Sequence, residues 1–496
     1  MNLSQILTQV EVEEISGSPD PAVLGIAYDS RKVETGYLFA ALKGEREDGN
    51  RYVSDALRHG ACAVLSAGAP PESFPATWVR VKDDRRSLAL AARNYYSRPD
   101  LRLGVTGVTG TNGKTTVVHL LESIFGAEGG RICALGTLVY RIGQEEFKAD
   151  RTTPESVDLY RLLDRAVTEG CRRAVAEISS HSLALRRVAG LRFAAAVFTN
   201  LTRDHLDFHK DMESYFRAKL VLFAELPEGH PAVVNRDDSA SDRLLAATRG
   251  RPVTYGFSPG SDVRVESFES DRDGTTVSLR AFGRFLKLRT RLFGRPNASN
   301  IAAATAAALS LDCPTTAVEA GVASLAGVPG RLESVGHGQG FAVYVDYAHT
   351  DDALANTLTT VRDLHPRRLI VVFGCGGDRD RSKRPLMGAA AARLADFAIL
   401  TSDNPRTEDP LAILADVERG IREAVPAASY QVEPDRREAI RLALAEAGQG
   451  DAVVIAGKGH ETYQILGNRT IPFDDREVVR ELLRTRIPAN SGRGAH

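Results

Sequence analysis

The chain has 496 residues, 43% of them hydrophobic and 26% charged, which is typical of a soluble globular protein with about three domains. Lys plus Arg number 63 and Asp plus Glu number 64, so the net charge of −1 argues against a nucleic-acid partner. The five cysteines are scattered and the N-terminus has no basic leader, which predicts a cytoplasmic protein. No apolar run approaches the roughly 18–20 residues that cross a bilayer, so no membrane partner is expected. We take the protein to be a monomer.

The first predicted unit, residues 1–98, is a small α/β domain. Short apolar strands are predicted in VLGIAYDS and YLFAALKG, and a helix followed by a buried strand in YVSDALRHGACAVLSAG. A strand from Trp78 to Val81 and the helix SLALAARNYYS complete the unit. The polar, proline-containing stretch at 97–100 predicts a linker.

The second predicted unit, residues 99–329, opens with an apolar strand in LRLGVTGVTG, a glycine-rich turn and the helix TTVVHLLESIF. The later strands RAVAEISS and FAAAVFTN each end in polar residues. Strands that alternate with helices predict a mostly parallel sheet, and such sheets bind ligands at the carboxyl ends of their strands. We therefore interpret this unit as a P-loop ATPase-type domain.

The third predicted unit, residues 330–496, repeats the pattern. Four apolar strands finish in polar or glycine-rich turns, in FAVYVDYAHT, RLIVVFGCGGDRD, FAILTSDNPR and AVVIAGKGHE. They predict a Rossmann-like α/β domain with four candidate site loops. The predicted fold is thus α/β in three domains.

A phosphate-binding loop is predicted between the first strand and helix of the second unit. Glycines allow close approach to phosphate oxygens, the helix start offers free N–H groups, and Lys114 adds a charge. The common spacing is not met, because Val108 stands where that pattern has glycine, so an ordinary strand-to-helix turn is the alternative. The residues assigned to the loop are Gly110, Thr111, Asn112, Gly113, Lys114, Thr115 and Thr116.

The segment GTNGKTT resembles the ATP loop of the Mur ligases, the amino-acid-adding enzymes of peptidoglycan synthesis. Further family segments follow in the same order: AEISSHSL, TNLTRDHLDFH, YFRAKLVLF, PNASNIAAA, GRLE, VDYAHT and GCGGDRDRSKRPLMG. The matches cover nearly the whole chain. The resemblance implies an ATP-dependent ligase that uses ATP and Mg²⁺.

Glu177 and His205 each follow an apolar strand, where they could simply be polar groups at a strand end. The resemblance implies that both bind Mg²⁺ together with the Thr115 hydroxyl. Lys219 lies in a helical stretch and reads as a surface lysine, but the matching family lysine is carbamylated and helps to hold a second metal ion. The catalytic residues implied are Lys114, Glu177, His205 and Lys219.

Four further residues match family positions that serve the nucleotide: Asn297, Asn300, Arg331 and Asp346. A helix N-cap is the alternative role for Asn297, and surface polarity is the alternative for the other three.

The turn Asp403-Asn404-Pro405-Arg406 follows a predicted strand, and an Asn-Pro step alone indicates only a turn. Arg406 offers a planar fork suited to the second carboxylate that distinguishes diaminopimelate from lysine. The four residues match the diaminopimelate signature of the family. Arg379, Gly457 and Glu461 fall on its remaining contacts for this amino acid.

The nucleotide-sugar peptide of the family would be held from the first two units. Ser30 in the first unit matches the uridine-diphosphate site, and the muramoyl-peptide positions are Thr152, Thr153, Ser179 and Arg187. The chain departs from the family pattern at three places: Leu185, Asn50, and Asp351-Asp352 after DYAHT. These departures bear on the sugar and peptide contacts and leave the reaction unaffected.

The resemblance implies addition of meso-2,6-diaminopimelate to UDP-N-acetylmuramoyl-L-alanyl-D-glutamate through an acyl phosphate, so that the partners are small molecules. Three rivals remain: a lysine-adding Mur ligase, a folylpolyglutamate synthase and a non-catalytic protein on the same fold. Arg406 argues against the first, the first hundred residues argue against the second, and the joint presence of Lys114, Glu177, His205 and Lys219 argues against the third.

Overall fold

The computed structural model describes residues 1–18, 20–44, 47–72, 74–271 and 273–486, so that the last ten residues of the third predicted unit lie outside the described ranges. Three large β-sheets with flanking helices follow one another along these ranges, and Tyr463–Leu466 and Arg469–Pro472 form a fourth, two-stranded antiparallel sheet. None of the helices described there is both long and apolar enough to cross a bilayer. The arrangement confirms the predicted three-part α/β class, and the exact domain boundaries stay predictions.

The first sheet has the strand order β1-β5-β4-β3-β2, with β1 antiparallel to β5 and the other pairs parallel. It is formed by the elements α1 (Leu3–Ile6), β1 (Val12–Ser16), β2 (Gly25–Ala27), β3 (Tyr37–Ala40), α2 (Val53–Arg58), β4 (Ala63–Ser66), β5 (Thr77–Val81) and α3 (Asp84–Tyr95).

The polar stretch at 97–100, predicted as a linker, connects α3 to the second unit as a packed turn. The Asp100 carboxylate is buried and accepts hydrogen bonds from the Arg93 side chain at 2.9–3.0 Å and from the Arg192 backbone N–H at 3.0 Å. A buried carboxylate needs such partners, and here they join the first sheet's last helix to the second unit.

The second sheet is the largest, with the order β16-β15-β14-β13-β12-β11-β6-β10-β7-β8-β9. Its centre is parallel, and antiparallel strands extend both edges. Its elements are β6 (Gly104–Thr109), α4 (Lys114–Glu128), β7 (Ile132–Leu135), β8 (Val139–Ile142), β9 (Glu145–Lys148), α5 (Ser156–Thr168), β10 (Arg173–Glu177), α6 (Ser180–Ala184), β11 (Phe193–Phe198), α7 (Leu206–His209), α8 (Met212–Ala224), β12 (Pro231–Asn235), α9 (Ser241–Ala247), β13 (Arg251–Gly256), β14 (Val263–Asp271), β15 (Gly274–Ala281), β16 (Arg284–Thr290), α10 (Gly294–Ser310) and α11 (Thr315–Ser324).

The third sheet has the order β17-β18-β22-β19-β20-β21, parallel except for β17. The continuous apolar run of β19 is fully buried, as expected for a parallel strand covered by helices on both faces. The elements are β17 (Glu333–Ser334), β18 (Ala342–Asp346), α12 (Asp351–Arg362), β19 (Leu369–Phe373), α13 (Lys383–Leu394), β20 (Phe397–Leu400), α14 (Pro410–Ala424), β21 (Tyr430–Val432), α15 (Arg436–Glu446), β22 (Ala452–Ala456), β23 (Tyr463–Leu466), β24 (Arg469–Pro472) and α16 (Asp475–Arg486).

Candidate active site

The predicted phosphate loop lies between β6 and α4, at the carboxyl edge of the central sheet. Gly110 and Gly113 have φ angles of +147° and +85°, which side-chain-bearing residues rarely adopt. A Cβ atom at Gly110 would lie 1.8 Å from Thr199 Oγ1, and one at Gly113 would lie 2.4 Å from Asn300 Oδ1. Only glycine therefore permits this close packing, and the loop ends at the free N–H groups that begin α4.

Two lysines converge on one carbonyl of this loop. Lys114 Nζ donates to Gly110 O at 3.0 Å and to Thr111 O at 2.8 Å, and Lys219 Nζ donates to the same Gly110 O at 2.8 Å. Lys219 is 1% exposed, so the interpretation of it as a surface lysine is wrong: α8 turns it towards the loop. Burial lowers the pKa of both lysines, and the positive charge of Lys114 lowers that of Lys219 further.

Glu177 ends β10, the strand next to β6, and its side chain is buried. Its carboxylate accepts hydrogen bonds from Thr137 N at 2.8 Å and Thr137 Oγ1 at 3.1 Å. Thr115, in the first turn of α4, accepts a hydrogen bond from Arg331 Nη2 at 3.2 Å. A hydroxyl and a carboxylate thus stand at the ends of adjacent structural elements beside the loop.

His205 immediately precedes α7 in the left-handed conformation, with φ +54°. Its Nε2 lies 3.3 Å from Asp204 Oδ2, and its ring packs edge-on against His181 at a centroid distance of 4.8 Å. Burial lowers the pKa of His205 below its usual value despite the neighbouring carboxylate. The neutral imidazole keeps a lone pair for a metal ion.

The described residues fit a magnesium ion only if a phosphate shares it. No group of three or more His, Cys, Asp or Glu side chains in the described ranges could hold a metal ion alone. Mg²⁺ commonly takes one or two protein oxygens and completes its shell with water and phosphate oxygens. The Glu177 carboxylate and the Thr115 hydroxyl are such oxygens, so the donor set suits a nucleotide-bound Mg²⁺.

The predicted nucleotide residues lie beside the loop and the start of the third unit. Asn297 lies inside α10, whose N-cap is Phe293, so the N-cap alternative is wrong; its Nδ2 donates to Phe293 O at 2.9 Å. Asn300 Nδ2 donates to Asn297 Oδ1 at 3.1 Å. Asp346 ends β18 and accepts from Leu332 N at 2.5 Å, and burial raises its pKa. It is a buried group, and the surface alternative is wrong for it.

A cleft of about 700 Å³ lies between the second and third units. Contacts between the two units include the hydrogen bond from Asn112 Nδ2 to Asp352 Oδ2 at 3.0 Å and, in the cleft, the approach of His349 Nε2 to Asp204 Oδ2 at 3.9 Å. Eight residues predicted from the sequence line this cleft: Thr152, His205, Arg379, Asp403, Asn404, Arg406, Gly457 and Glu461.

The Asp403–Arg406 turn packs against the glycine-rich loop that follows β19. A Cβ atom at Gly377 would lie 1.9 Å from Pro405 O, so only glycine allows the two loops to touch. Arg406 has a φ of +53° and donates from Nη1 to Gly377 O at 2.7 Å. Asn404 Nδ2 donates to Glu461 Oε2 at 2.9 Å. One Arg406 nitrogen is thereby anchored, and the turn holds both residues at the cleft.

The predicted peptide-binding residues cluster at the end of β10, with one exception. Thr153 Oγ1 donates to Glu177 O at 2.7 Å and accepts from Ser179 N at 3.0 Å. Arg187 lies 2.8 Å from Glu155 Oε1 and donates to Thr153 O at 3.4 Å. Ser30 lies on the first unit, where its backbone oxygen lies 2.9 Å from His59 Nδ1, and it is not among the described residues that line the cleft.

Several cleft residues were missed by the sequence reasoning, although most stand inside segments that it singled out. Asp204 precedes His205 in TNLTRDHLDFH, and His349 and Tyr347 stand in VDYAHT. Lys458, beside Gly457 in AGKGHE, is fully buried under the turn. Their positions next to assigned residues were the available signal.

Three family models match consecutive parts of the chain. They are described as Mur ligase family, catalytic domain (residues 22–96), Mur ligase middle domain (108–308) and Mur ligase, glutamate ligase domain (330–459). Each model falls on one of the three large sheets described above.

Relatives with full-length similarity carry ligase names. UDP-N-acetylmuramoyl-L-alanyl-D-glutamate–2,6-diaminopimelate ligase of Solibacter usitatus is 50% identical over 490 residues, 98% of each chain. A solved structure of that name has a TM-score of 0.67 and 34% identity over 94% of this chain and 95% of its own. The MurF ligase of Thermotoga maritima in complex with ADP has a TM-score of 0.64 over 93% of this chain and 98% of its own, and its 18% identity shows likeness of fold alone.

Proposed function

Because this chain belongs to the Mur ligase family, we propose that it joins meso-2,6-diaminopimelate to UDP-N-acetylmuramoyl-L-alanyl-D-glutamate in peptidoglycan synthesis. It is an ATP-dependent ligase that forms a carbon–nitrogen bond between an acid and an amino acid. The observation that carries the choice of amino acid is the Asp403–Arg406 turn, which lines the same cleft as His205 and Thr152 of the second unit.

Each predicted domain takes one substrate in this proposal. Residues 1–98 hold the uridine-diphosphate end through Ser30, residues 99–329 hold ATP, and residues 330–496 hold the amino acid. The muramoyl peptide runs along Thr152, Thr153, Ser179 and Arg187. In support, Thr153 contacts the Glu177 backbone carbonyl at the end of β10, Ser179 and Arg187 both donate to Thr153, and Thr152 lines the cleft.

ATP would be bound by the phosphate loop, from Gly110 to Thr116. The Lys114 ammonium would exchange its hydrogen bonds to loop carbonyls for contacts with the phosphates. The nucleoside would be held by Asn297, Asn300, Arg331 and Asp346. Arg331 supports this placement because it borders a cavity of about 670 Å³ beside Phe293 and also reaches Thr115 Oγ1 in the loop.

Thr115, Glu177 and His205 would hold Mg²⁺. The bound ion supplies charge neutralisation between the phosphates of ATP and the substrate carboxylate. The protein side of the site is an oxygen pair and a neutral imidazole, and all three belong to the second unit.

Lys219 is proposed to be carbamylated. Its buried amine has a lowered pKa, and only the neutral amine attacks CO₂, giving a carbamate anion and one proton. The change replaces two lysine charges around Gly110 O with an ion pair between the carbamate and Lys114. An anion at position 219 is therefore favoured where a cation is not.

In the proposed reaction the D-glutamate γ-carboxylate attacks the γ-phosphoryl group of ATP, and ADP leaves. The acyl phosphate then has a good leaving group on its carbonyl carbon. The amine of diaminopimelate attacks that carbon, and inorganic phosphate departs as the amide forms and the amine loses its proton. Lys114 neutralises the moving phosphoryl charge, and the loops hold the reactants in line.

Selection of diaminopimelate is assigned to its distal centre, which carries one carboxylate and one ammonium group. Arg406 and Arg379 are the cations for the carboxylate, and Glu461 and Asp403 are the anions for the ammonium; Asn404, Pro405 and Gly457 shape the site. Lysine lacks the distal carboxylate and would leave Arg406 without its anion. A polar site that loses its partner in this way rejects the analogue by about 10⁴-fold or more.

The test is phosphate release by the purified chain with ATP, Mg²⁺ and UDP-N-acetylmuramoyl-L-alanyl-D-glutamate, with each amino acid added alone. We expect release with meso-diaminopimelate and none above background with L-lysine or L-glutamate. Release with L-lysine at a similar rate would refute the assigned amino acid, and release with a folate and glutamate in place of the UDP substrate would refute the assigned acceptor.

A further inference from the structure

Beneath the Asp403–Arg406 turn lies a lysine that the proposed function does not use. Lys458 follows β22, and its side chain is fully buried. Its Nζ lies 3.1 Å from Glu461 Oε2, 3.3 Å from Asn404 Oδ1 and 3.6 Å from Asp403 Oδ1. One ammonium therefore serves three side chains that line the cleft.

The contacts of Asn404 fix the orientation of its amide. The oxygen accepts from Lys458 Nζ and from Ile465 N at 3.0 Å, so the nitrogen must point the other way, and it donates to Glu461 Oε2 at 2.9 Å. An amide nitrogen carries two N–H groups, and one of them is used on Glu461. With the oxygen held from below, the second N–H is left for a carboxylate ligand in the cleft.

The two carboxylates are set by the same ammonium. Asp403 and Glu461 both approach Lys458 Nζ, and Asp403 Oδ1 is buried without a hydrogen bond to any described residue. Two carboxylates that share a site repel each other unless a cation lies close to both. Lys458 Nζ is that cation, at 3.1 Å from Glu461 Oε2 and 3.6 Å from Asp403 Oδ1, so it fixes the positions of both carboxylates.

We propose that Lys458 is a positioning residue for amino-acid selection. It holds Asn404 as a donor towards the distal carboxylate of the substrate and, through its two ion pairs, holds the Asp403 and Glu461 carboxylates in place for its distal ammonium. It touches no reacting atom and acts through these three side chains. The inference rests on the proposed function, because it assigns a specificity role within the diaminopimelate site.

The test replaces the ammonium by an uncharged chain of similar length, Lys458→Met. Because one charged hydrogen-bonding partner is lost, the KM for meso-diaminopimelate should rise about 10- to 100-fold. The KM values for ATP and for the UDP substrate, which bind elsewhere, should stay within about twofold. An unchanged KM for meso-diaminopimelate, or an equal rise in all three KM values, would overturn the proposal.

Arg367→Met is the matched control. Arg367 also forms an ion pair in the third unit, with Asp451, but at the opposite, amino end of β22. It should leave all three KM values unchanged. If Lys458→Met does not fold, Lys458→Gln carries the test, since it keeps an N–H donor for Asn404 Oδ1 but removes the charge; its KM for meso-diaminopimelate must still rise, and a wild-type value would contradict the role of the charge.

A double-variant cycle separates positioning from a general loss of packing. Glu461→Gln removes one anion that Lys458 holds, so adding Lys458→Met to Glu461→Gln should raise the KM for meso-diaminopimelate much less than it does in the wild type. Multiplication of the two full effects would contradict the coupling. Wild-type turnover of meso-diaminopimelate is measured alongside: its absence refutes the proposed function itself, whereas wild-type turnover with an unaffected Lys458→Met refutes only the present inference.

Discussion

The two ends of the cleft balance their charges differently. At the phosphate loop, Lys114 and Lys219 both point at the carbonyl of Gly110, and neither forms an ion pair with a carboxylate of a described residue. At the amino-acid turn, Lys458 lies between Asp403 and Glu461. Without the proposed carbamate, the first end holds two buried lysines that have lowered pKa values and no carboxylate partner among the described residues, whereas the second end is paired before any ligand arrives.

The difference indicates what each end contributes. A site with uncompensated buried cations gains most from an incoming polyanion and from charge that develops during the reaction. A site whose charges are already paired and hydrogen-bonded keeps its shape and selects by complementarity. Changes at the loop should therefore lower turnover, and changes at the turn should raise the KM for one substrate.

The largest effect is expected from Lys114→Ala at the loop. Removal of a charge that stabilises the transferring phosphoryl group should lower kcat by about 10³-fold. Phosphate-release kinetics measure it, with Lys287→Ala on the exposed face of β16 as the control lysine. A kcat close to that of the wild type would contradict the claim that the loop end of the cleft controls turnover.

Lys219→Ala tests the second loop lysine. Loss of the proposed carbamate should lower kcat by about 10²-fold, and formate or acetate should restore part of it by supplying the missing anion. The wild type should show a carbamate resonance with carbon-13-labelled CO₂, which Lys219→Ala lacks. The same carboxylates should not rescue Lys114→Ala. Full activity of Lys219→Ala without additives would refute the carbamate.

At the turn, Arg406→Ala should raise the KM for meso-diaminopimelate by about 30-fold, or about 2 kcal/mol, because a charge-paired contact is lost. The KM for ATP should not change. Arg381→Ala is the control, since Arg381 is an exposed arginine of the neighbouring loop that pairs with Glu408. Equal rises in both KM values would show that the two ends are not separate.

The smallest effect concerns stability behind the loop. Burial of His119 on α4 lowers its pKa from 6.5 to about 4. The unfolded chain binds a proton at His119 more readily than the folded chain does. The free energy of unfolding therefore has its full value above pH 6.5 and falls progressively as the pH falls towards 4. At pH 5.5, proton binding at His119 in the unfolded chain should lower the free energy of unfolding by about 1 kcal/mol, as the difference between the two pKa values requires.

Denaturant unfolding at pH 7.5 and 5.5 measures this loss. His119→Gln should reduce the difference between the two pH values, and His337→Gln, at an exposed position, should not. An undiminished pH dependence in His119→Gln would assign the loss to other groups.

The strand-turn-helix at the loop and the four strand-end turns of the third unit were predictable because their signals are local. Apolar runs, glycines and polar strand ends are visible in a few adjacent residues, and the carboxyl edge of a parallel sheet then brings them together. The family resemblance assigned Arg379, Arg406 and Glu461 to one amino-acid site, and these residues follow three of the strands and line one cleft.

What was not predictable depends on contacts between distant segments. The inward side of α8, which buries Lys219, is set by how that helix packs on the loop. Asp100 became a packing residue through Arg93 and Arg192, and Lys458 gained its role from a turn more than fifty residues earlier. A residue's own neighbours in sequence do not specify such pairings.

The most direct measurement is a competition with the wild-type protein. It is incubated with ATP, Mg²⁺, UDP-N-acetylmuramoyl-L-alanyl-D-glutamate and an equimolar mixture of meso-diaminopimelate and L-lysine, and the UDP-linked product is identified by mass spectrometry. We predict one product, heavier than the substrate by a diaminopimelyl residue. A lysyl product in comparable amount would contradict the central claim that the loop binds the ATP that drives the reaction and the Asp403–Arg406 turn selects the amino acid.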